Sequence, residues 1–130
     1  MKDFTLRPIG VVESTLSNKK DAPCQGSMGA PEAWIRIYDE VMAGMKDVEV
    51  GDNIIVLTWL HLSDRRVLSV HPQDNKNNPL TSVFATRSAD RPNPIGLHPV
   101  TVLQIEGNKI KVSPMEAIDG TPVVDIKPVI

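Results

Sequence analysis

Short apolar runs separated by proline- and glycine-rich connections predict that this chain folds mainly as β-strands. In Trp34–Tyr38 alternate residues are apolar isoleucines, which indicates a half-buried strand. The run Asn53–Leu62 is almost continuously apolar and β-branched at its start, which predicts a central strand buried on both faces. Further strands are predicted over Phe4–Val12, Val67–Val70, Ser82–Thr86, His98–Ile105, Lys109–Val112 and Val123–Ile126.

The connections between these strands indicate the domain organisation. The clearest hairpin turns at Glu106-Gly107-Asn108, where Gly107 and Asn108 tolerate a positive φ. Glu40–Asp47 has a short helical pattern, and Asn18–Pro31 is a long loop. The sequence contains no repeat, low-complexity tract or linker. We therefore expect residues 1–130 to form a single domain, an all-β barrel or sandwich.

Composition narrows the class of protein. Apolar residues make up 41% of the chain, which is ordinary for a globular protein, and no apolar stretch reaches the roughly 18–20 residues that span a bilayer. Met1 is not followed by the apolar run of a secretory leader, and the single cysteine, Cys24, excludes an internal disulfide. We expect a cytoplasmic protein without a membrane partner. The net charge of −2 argues against a generally basic nucleic-acid binder and against a DNA partner, but it is compatible with a local basic patch.

The common catalytic and cofactor motifs are absent from the sequence. It contains no HExxH, CxxC, GxSxG, P-loop or GxGxxG pattern. The three histidines, His61, His71 and His98, are too scattered to define a metal site. We therefore expect no metal and no dinucleotide site of the Rossmann type.

The segment Phe84–Leu97, FATRSADRPNPIGL, has neither a helical nor a strand period. Pro92 and Pro94 each fix φ, so Asn93 is held extended between two rigid residues. Gly96 permits a backbone shape or a close approach that a Cβ would forbid. A stiff loop with oriented donors is typical of a binding site.

Two arginines flank this rigid corner. Arg87 and Arg91 supply planar, permanently charged donors. Two interpretations stay open: the arginines contact a ligand, or they pair with Asp90 or with backbone carbonyls. In the same way, Asn93 either presents its amide to a substrate or caps the turn.

Four segments, in order along the chain, resemble one protein family. Arg7–Ser14 resembles the family's first strand, 23–25 (PCQ) its Pro-x-Gln loop, Phe84–Leu97 its signature FATRSPxRPNPIGL, and Asp119–Pro128 its closing DGTPvlDIKP. The family is the TsaA-like, or TrmO, family of S-adenosylmethionine-dependent tRNA (adenine-N6)-methyltransferases. The resemblance covers almost the full chain.

The resemblance implies a small closed or nearly closed β-barrel with a long N-terminal loop and at most short helical turns. It implies an S-adenosyl-L-methionine cofactor and a homodimer with the cofactor site near the interface. The implied substrate is a tRNA whose threonylcarbamoylated adenine, just 3′ of the anticodon, gains an N6 methyl group. Transferred residue by residue, the cofactor-binding positions are Pro23, Cys24, Gln25, His61, Leu62, Arg87, Leu97, Asp119, Gly120, Thr121 and Pro122.

Methyl transfer requires the nitrogen to lie close to the methyl group and in line with it, and it benefits from a base that removes the N6 proton. His61 and Asp119 are the candidate bases. Arg87 is suited to bind the carboxylate of the cofactor's amino-acid group. The candidate contacts to the RNA are Arg91, Asn93, Arg65 and Arg66. For Asp64-Arg65-Arg66 a solvated turn is the favoured alternative.

Some of these residues have structural interpretations that stay open. His61 is also compatible with a core histidine at the end of a strand. Gln25 is compatible with an ordinary loop residue, and Asp119-Gly120 is compatible with a hairpin turn. Ala89 and Cys24 depart from the family pattern, which has proline and a basic residue there, and the chain stops at Ile130 where bacterial members continue into a second, smaller domain. The alternatives are a methyltransferase acting on another RNA or a small molecule, and a non-catalytic S-adenosylmethionine-binding module.

Overall fold

A computed structural model describes residues 3–16 and 31–130. Its strands are β1 (Gly10–Glu13), β2 (Ala33–Ile37), β3 (Asn53–Trp59), β4 (Ser69–Val70), β5 (Thr81–Ser82), β6 (Ile95–Glu106), β7 (Lys109–Ser113) and β8 (Pro122–Pro128). Six of them pair antiparallel in a closed ring, in the order β1-β2-β7-β6-β3-β8, with β8 returning to β1. Strands β4 and β5 form a separate two-stranded sheet. The predicted all-β class is confirmed.

Alternate residues of the strands fill the interior of the ring. In β2 the side chains of Ala33, Ile35 and Ile37 are buried, while Trp34 and Arg36 point to the outer face. The alternation predicted for this strand is therefore confirmed, because neighbouring residues of a strand face opposite sides. The buried core comprises Val12, Ala33, Ile35, Ile37, Ile54, Val56, Val100, Val102, Ile110, Val112, Met115, Ala117 and Val123.

Strand β3 is central, since it pairs with both β6 and β8. The continuous apolar run of this strand predicts burial on both faces, and that prediction is wrong. Ile54, Val56 and Thr58 are buried, but the residues between them are only partly covered. A closed ring has one interior, so the outward side chains of even a central strand face away from the core. The strand ends at Trp59, after which the Leu60 N–H donates to the Pro94 carbonyl at 2.8 Å.

Other predicted bounds differ where tertiary pairing decides them. Strand β1 begins only at Gly10, and β6 begins already at Ile95, opposite Trp59. The predicted strand Ser82–Thr86 is mostly a 3₁₀ helix, Val83–Ala85, and the predicted helical turn is a 3₁₀ helix over Asp39–Met45. A further short 3₁₀ helix spans Pro72–Asp74. No helix within the described part of the chain has the length and apolarity to cross a membrane.

The predicted hairpin joins β6 and β7. Glu106 pairs with Lys109, so the turn consists of Gly107 and Asn108 as expected. Gly107 has a φ of 58°, but Asn108 does not share the positive φ that its residue type tolerates. One positive φ at the first turn position is the pattern of a type II′ rather than a type I′ turn.

One end of the ring, here called the upper end, collects the termini of several strands. Strand pairing places Glu13 opposite Trp34 and Trp59 opposite Ile95. The ends of β1, β3 and β7 and the starts of β2, β6 and β8 therefore lie at the upper end. Both termini of the long connection 60–94 are attached there.

An ion-pair network joins three strands on the outer face of the ring. Glu13 on β1 contacts Lys109 Nζ at 3.0 Å and Arg36 Nε at 3.4 Å. The hydrogen bond from Lys109 lowers the pKa of Glu13 below its usual value, and Arg36 lowers this pKa further. The network thus stabilises the pairing of β1, β2 and β7.

We expect the substitution Glu13→Gln to lower the free energy of unfolding at neutral pH by less than about 1 kcal/mol, because a carboxylate that is 38% exposed is well solvated. A lowered pKa in the folded state stabilises the protein above the unfolded value near 4.5, and this contribution is lost as the pH falls through the folded pKa. Urea unfolding at neutral pH and at about pH 3 should therefore show a difference between wild type and variant that disappears in acid. Glu49→Gln, at an exposed position with no ion pair among the described residues, should show no such change with pH.

Candidate functional site

The segment 114–121, between β7 and β8, covers the upper end of the ring. Met115 and Ala117 are buried in the core, which fixes the segment over the interior. The Met115 N–H donates to the Pro31 carbonyl at 3.0 Å, and the Asp119 N–H donates to the Leu16 carbonyl at 2.6 Å. Both described residues that flank 17–30 therefore contact this segment. The candidates Pro23, Cys24 and Gln25 lie outside the described residues.

The candidates Asp119–Pro122 comprise the last three residues of a β-turn, Ile118–Thr121, and the first residue of β8. The Thr121 N–H donates to the Ile118 carbonyl at 3.2 Å, and Gly120 has a φ of 83°, which favours glycine. The Asp119 carboxylate accepts a hydrogen bond from the Ser14 N–H at 3.0 Å, so the turn is attached to the end of β1. The Thr121 side chain is buried and donates to the Ile118 carbonyl.

Further candidates lie at the upper end, where β3 ends and β6 begins. His61 and Leu62 are exposed just beyond β3, and Leu97 is exposed on the outer side of β6, opposite Leu57. No described residue forms a hydrogen bond with the His61 ring, so the open interpretation of a satisfied core histidine does not describe its exposed position. The fold thus brings the candidates from β3, β6 and the 119–122 turn to the same end of the ring.

The arginines of the signature segment have different surroundings. Arg91 donates to the backbone carbonyls of Val83 and, at 2.6 Å, Thr86, so its guanidinium holds the segment around the 3₁₀ helix Val83–Ala85. Arg87 is exposed and forms no hydrogen bond or ion pair with the described residues. Arg87 therefore has its donors available, whereas Arg91 uses donors internally.

The predicted RNA contacts Asn93 and Arg65 bind each other. Arg65 donates to Asn93 Oδ1 at 3.1 Å and to the Pro92 carbonyl at 2.7 Å, and its guanidinium lies 5.1 Å from the ring centroid of Trp59. Arg66 is exposed and pairs with Asp64 at 3.2 Å. The signature segment is thus connected to the end of β3 by a planar, still exposed cation.

The connection 60–94 is more basic than the rest of the chain. It carries four arginines and one lysine against three aspartates, a net charge of +2 in a chain whose net charge is −2. The connection 60–94 is therefore a basic region in an otherwise acidic chain, and both of its ends are attached to the upper end of the ring. No cluster of three or more metal-binding side chains occurs among the described residues.

A buried polar chain inside the ring was missed by the sequence patterns. Thr58 Oγ1 lies 2.6 Å from His98 Nε2, and His98 Nδ1 lies 2.6 Å from Glu116 Oε1. The three residues come from β3, β6 and the 114–121 segment and are far apart in sequence. Since no local pattern links them, only the tertiary structure reveals the chain.

Gly96 on β6 lies against this polar chain. A Cβ at this position would overlap Thr58 Oγ1 and His98 Nε2. The close approach proposed for this glycine from the sequence is confirmed, and its partner is the interior of the protein itself.

Comparisons with known proteins match most of the chain. The family described as "tRNA-methyltransferase O N-terminal domain" matches residues 11–130. A "Probable S-adenosyl-L-methionine-binding protein" of Methanothermobacter thermautotrophicus is 40% identical, over 97% of this chain and 90% of its own length. An "S-adenosyl-L-methionine-binding protein" of Archaeoglobus fulgidus is 43% identical, over 94% of this chain and 86% of its own length.

The fold is also similar to solved structures. TrmO from Pseudomonas aeruginosa superposes with a TM-score of 0.75 and 28% identity, over 99% of this chain. The match covers 57% of the TrmO chain, so the present chain spans little more than half of that protein's length. The likeness therefore concerns the ring and its connections.

We expect Gly96→Ala to destabilise the fold by about 1–3 kcal/mol, because the added methyl group overpacks the interior beside Thr58 and His98. Urea unfolding measures the change. Gly44→Ala is the matched control, since a Cβ at Gly44 meets no atom within 4 Å. A Gly96→Ala variant as stable as Gly44→Ala would contradict the close packing described here.

Proposed function

The chain belongs to the TrmO family, and we propose that it is an S-adenosylmethionine-dependent methyltransferase that methylates N6 of the threonylcarbamoylated adenine next to a tRNA anticodon. The observation that carries the proposal is the family match over residues 11–130. Relatives of similar length are named as S-adenosylmethionine-binding proteins, which supports the cofactor. The cofactor would supply an activated methyl group on a sulfonium centre.

The residues at the upper end fit such a cofactor. Leu62 and Leu97 are exposed apolar side chains, which suit the face of an adenine ring. Arg87 has free guanidinium donors in the described structure, which suit the carboxylate of the amino-acid group. The Asp119–Pro122 turn, with Gly120 at positive φ, offers backbone groups to the polar atoms of the ligand.

The two candidate bases have different surroundings. Asp119 already accepts a hydrogen bond from the Ser14 N–H, whereas the exposed His61 has no hydrogen-bond partner among the described residues. A base must be free to reach the proton that it removes. We therefore assign the removal of the N6 proton to His61 and the positioning of the turn to Asp119.

The basic connection 60–94 supports an RNA substrate. Its net charge of +2 suits phosphate, and exposed arginines also stack on unpaired bases of an anticodon loop. Arg65 and Arg66 are exposed there. Arg91 contributes indirectly by holding the segment through the Val83 and Thr86 carbonyls.

A homodimer is part of the same proposal. Large apolar side chains are exposed on and beside the connection 60–94, namely Leu62, Leu68, Leu80, Phe84, Ile95 and Leu97. Exposed apolar residues at this density favour an interface. A second copy of the chain would cover Leu68, Leu80, Phe84 and Ile95, close to the cofactor site at Leu62 and Leu97.

A non-catalytic cofactor-binding module is the second candidate. The names of the relatives from Methanothermobacter thermautotrophicus and Archaeoglobus fulgidus mention binding of S-adenosylmethionine and no transfer. The two candidates differ in whether the methyl group reaches an acceptor.

Calorimetric titration with S-adenosylmethionine and S-adenosylhomocysteine tests the cofactor. Methylation is then assayed on a tRNA that carries the threonylcarbamoyl group and on the same tRNA without it, with mass spectrometry of the nucleosides as readout. Methylation of the modified tRNA alone supports the proposed substrate. Cofactor binding without methylation favours the binding module, and methylation elsewhere favours a different substrate.

We expect Arg87→Ala to weaken the binding of S-adenosylmethionine by about 10- to 100-fold, because a charge-assisted hydrogen bond is lost. Circular dichroism should be unchanged, since Arg87 forms no hydrogen bond or ion pair with the described residues. Arg7→Ala, at another exposed arginine ahead of β1, is the control. Equal affinities of the two variants would remove Arg87 from the site.

For the homodimer, sedimentation should give twice the chain mass of 14.3 kDa. We expect Phe84→Ser to shift the protein toward the monomer, because this side chain is 80% exposed in the single chain and would be buried in the dimer. Phe4→Ser changes a phenylalanine ahead of β1 that is 89% exposed, and it should leave the dimer intact. A monomeric wild type would exclude this part of the proposal.

A further inference from the structure

The polar chain inside the ring connects two parts of the proposed cofactor site. We propose that His98, held by Thr58 and Glu116, is a positioning residue that fixes the Asp119–Pro122 turn relative to the start of β6. The inference rests on the proposed cofactor binding and names the interior residues on which that binding depends.

The geometry assigns a partner to each polar atom of the imidazole. His98 is 2% exposed, and it contacts Thr58 Oγ1 and Glu116 Oε1 at 2.6 Å each. With an ionised Glu116, His98 Nδ1–H donates to the carboxylate and Nε2 accepts from the Thr58 hydroxyl. Buried polar groups that are fully satisfied in this way fix one arrangement of the surrounding elements.

A hydroxyl, a histidine and a carboxylate in this order also occur in nucleophilic sites, where the hydroxyl is that of a serine. Here Thr58 is 0% exposed, so its hydroxyl cannot reach a substrate. The Gly96 backbone, which has no room for a Cβ beside Thr58 and His98, closes the chain from the side of β6. The arrangement is therefore suited to positioning and not to covalent chemistry.

The polar chain of Thr58, His98 and Glu116 is joined to the proposed cofactor site by short stretches of backbone. Leu97 directly precedes His98, and Asp119 follows Glu116 by three residues. The hydrogen bond between His98 and Glu116 thus sets the distance between the exposed Leu97 side chain and the turn. The Glu116 side chain is 15% exposed, so the polar chain runs from the interior to the surface of the segment that carries the turn.

The test compares Thr58→Val, which removes the hydroxyl at constant shape, with Thr58→Ser, which retains it. We expect Thr58→Val to weaken the binding of S-adenosylmethionine about tenfold, by loss of one buried hydrogen bond, and Thr58→Ser to bind with nearly wild-type affinity. Thr101→Val is the control, because Thr101 Oγ1 donates to Asn53 Oδ1 in an exposed pair between the same two strands, away from the upper end. Affinities are measured by calorimetry well below the melting temperature of each variant.

A second readout uses the wild-type protein and therefore does not depend on whether a variant folds. The NMR signals of the two imidazole nitrogens of His98 should change their chemical shifts when S-adenosylmethionine is added. Two outcomes would overturn the inference and leave the polar chain with a structural role only. One is that the His98 signals do not change; the other is that Thr58→Val melts at a lower temperature but binds S-adenosylmethionine as tightly as wild type. If wild type binds no S-adenosylmethionine, the proposed function itself fails, and the positioning role falls with it.

Discussion

The double pairing of β8, with β3 on one side and β1 on the other, is the constraint on which the rest of the structure depends. It closes the six strands, so that no strand of the ring is left as an open edge. Closure also creates a single narrow interior. Every inward side chain must then fit a fixed volume, which is why the buried positions are mostly valine, isoleucine and alanine.

The same constraint decides where polar groups lie. A buried histidine needs partners for both ring nitrogens, and His98 meets that condition through Thr58 and Glu116. Glu116 enters the ring because the 114–121 segment covers its upper end. The absence of a Cβ at Gly96 then makes room for the polar chain. Packing at the end of the ring and the shape of the Asp119–Pro122 turn are in this way parts of one arrangement.

The exposed side chains of His61, Arg65 and Arg87 lie outside the ring, on the connection 60–94. This connection has little regular structure, and its own polar contacts hold it in place: Arg91 binds two backbone carbonyls, and Arg65 joins Trp59 to Asn93. Arg91 supports the segment internally, while Arg87 has no hydrogen-bond partner in the part of the chain that the structure describes. A rigid ring that carries a well-supported loop suits methyl transfer, which depends more on alignment of the reacting atoms than on reactive side chains.

The sequence by itself determined the all-β class, most strand positions, the Gly107 turn and the signature segment, because alternation, proline, glycine and motif order are local properties. The same local patterns gave wrong bounds for β3, β6 and the Val83–Ala85 region, since those elements end where a distant strand or carbonyl supplies a partner. Local patterns also could not distinguish Arg87 from Arg91, whose residue types and settings in the sequence are alike. Only the tertiary structure decided which arginine lacks a partner among the described residues, and that the outward face of β3 is only partly covered. It alone brought Thr58, His98 and Glu116 together, because closing the ring places side chains from remote segments within hydrogen-bond distance.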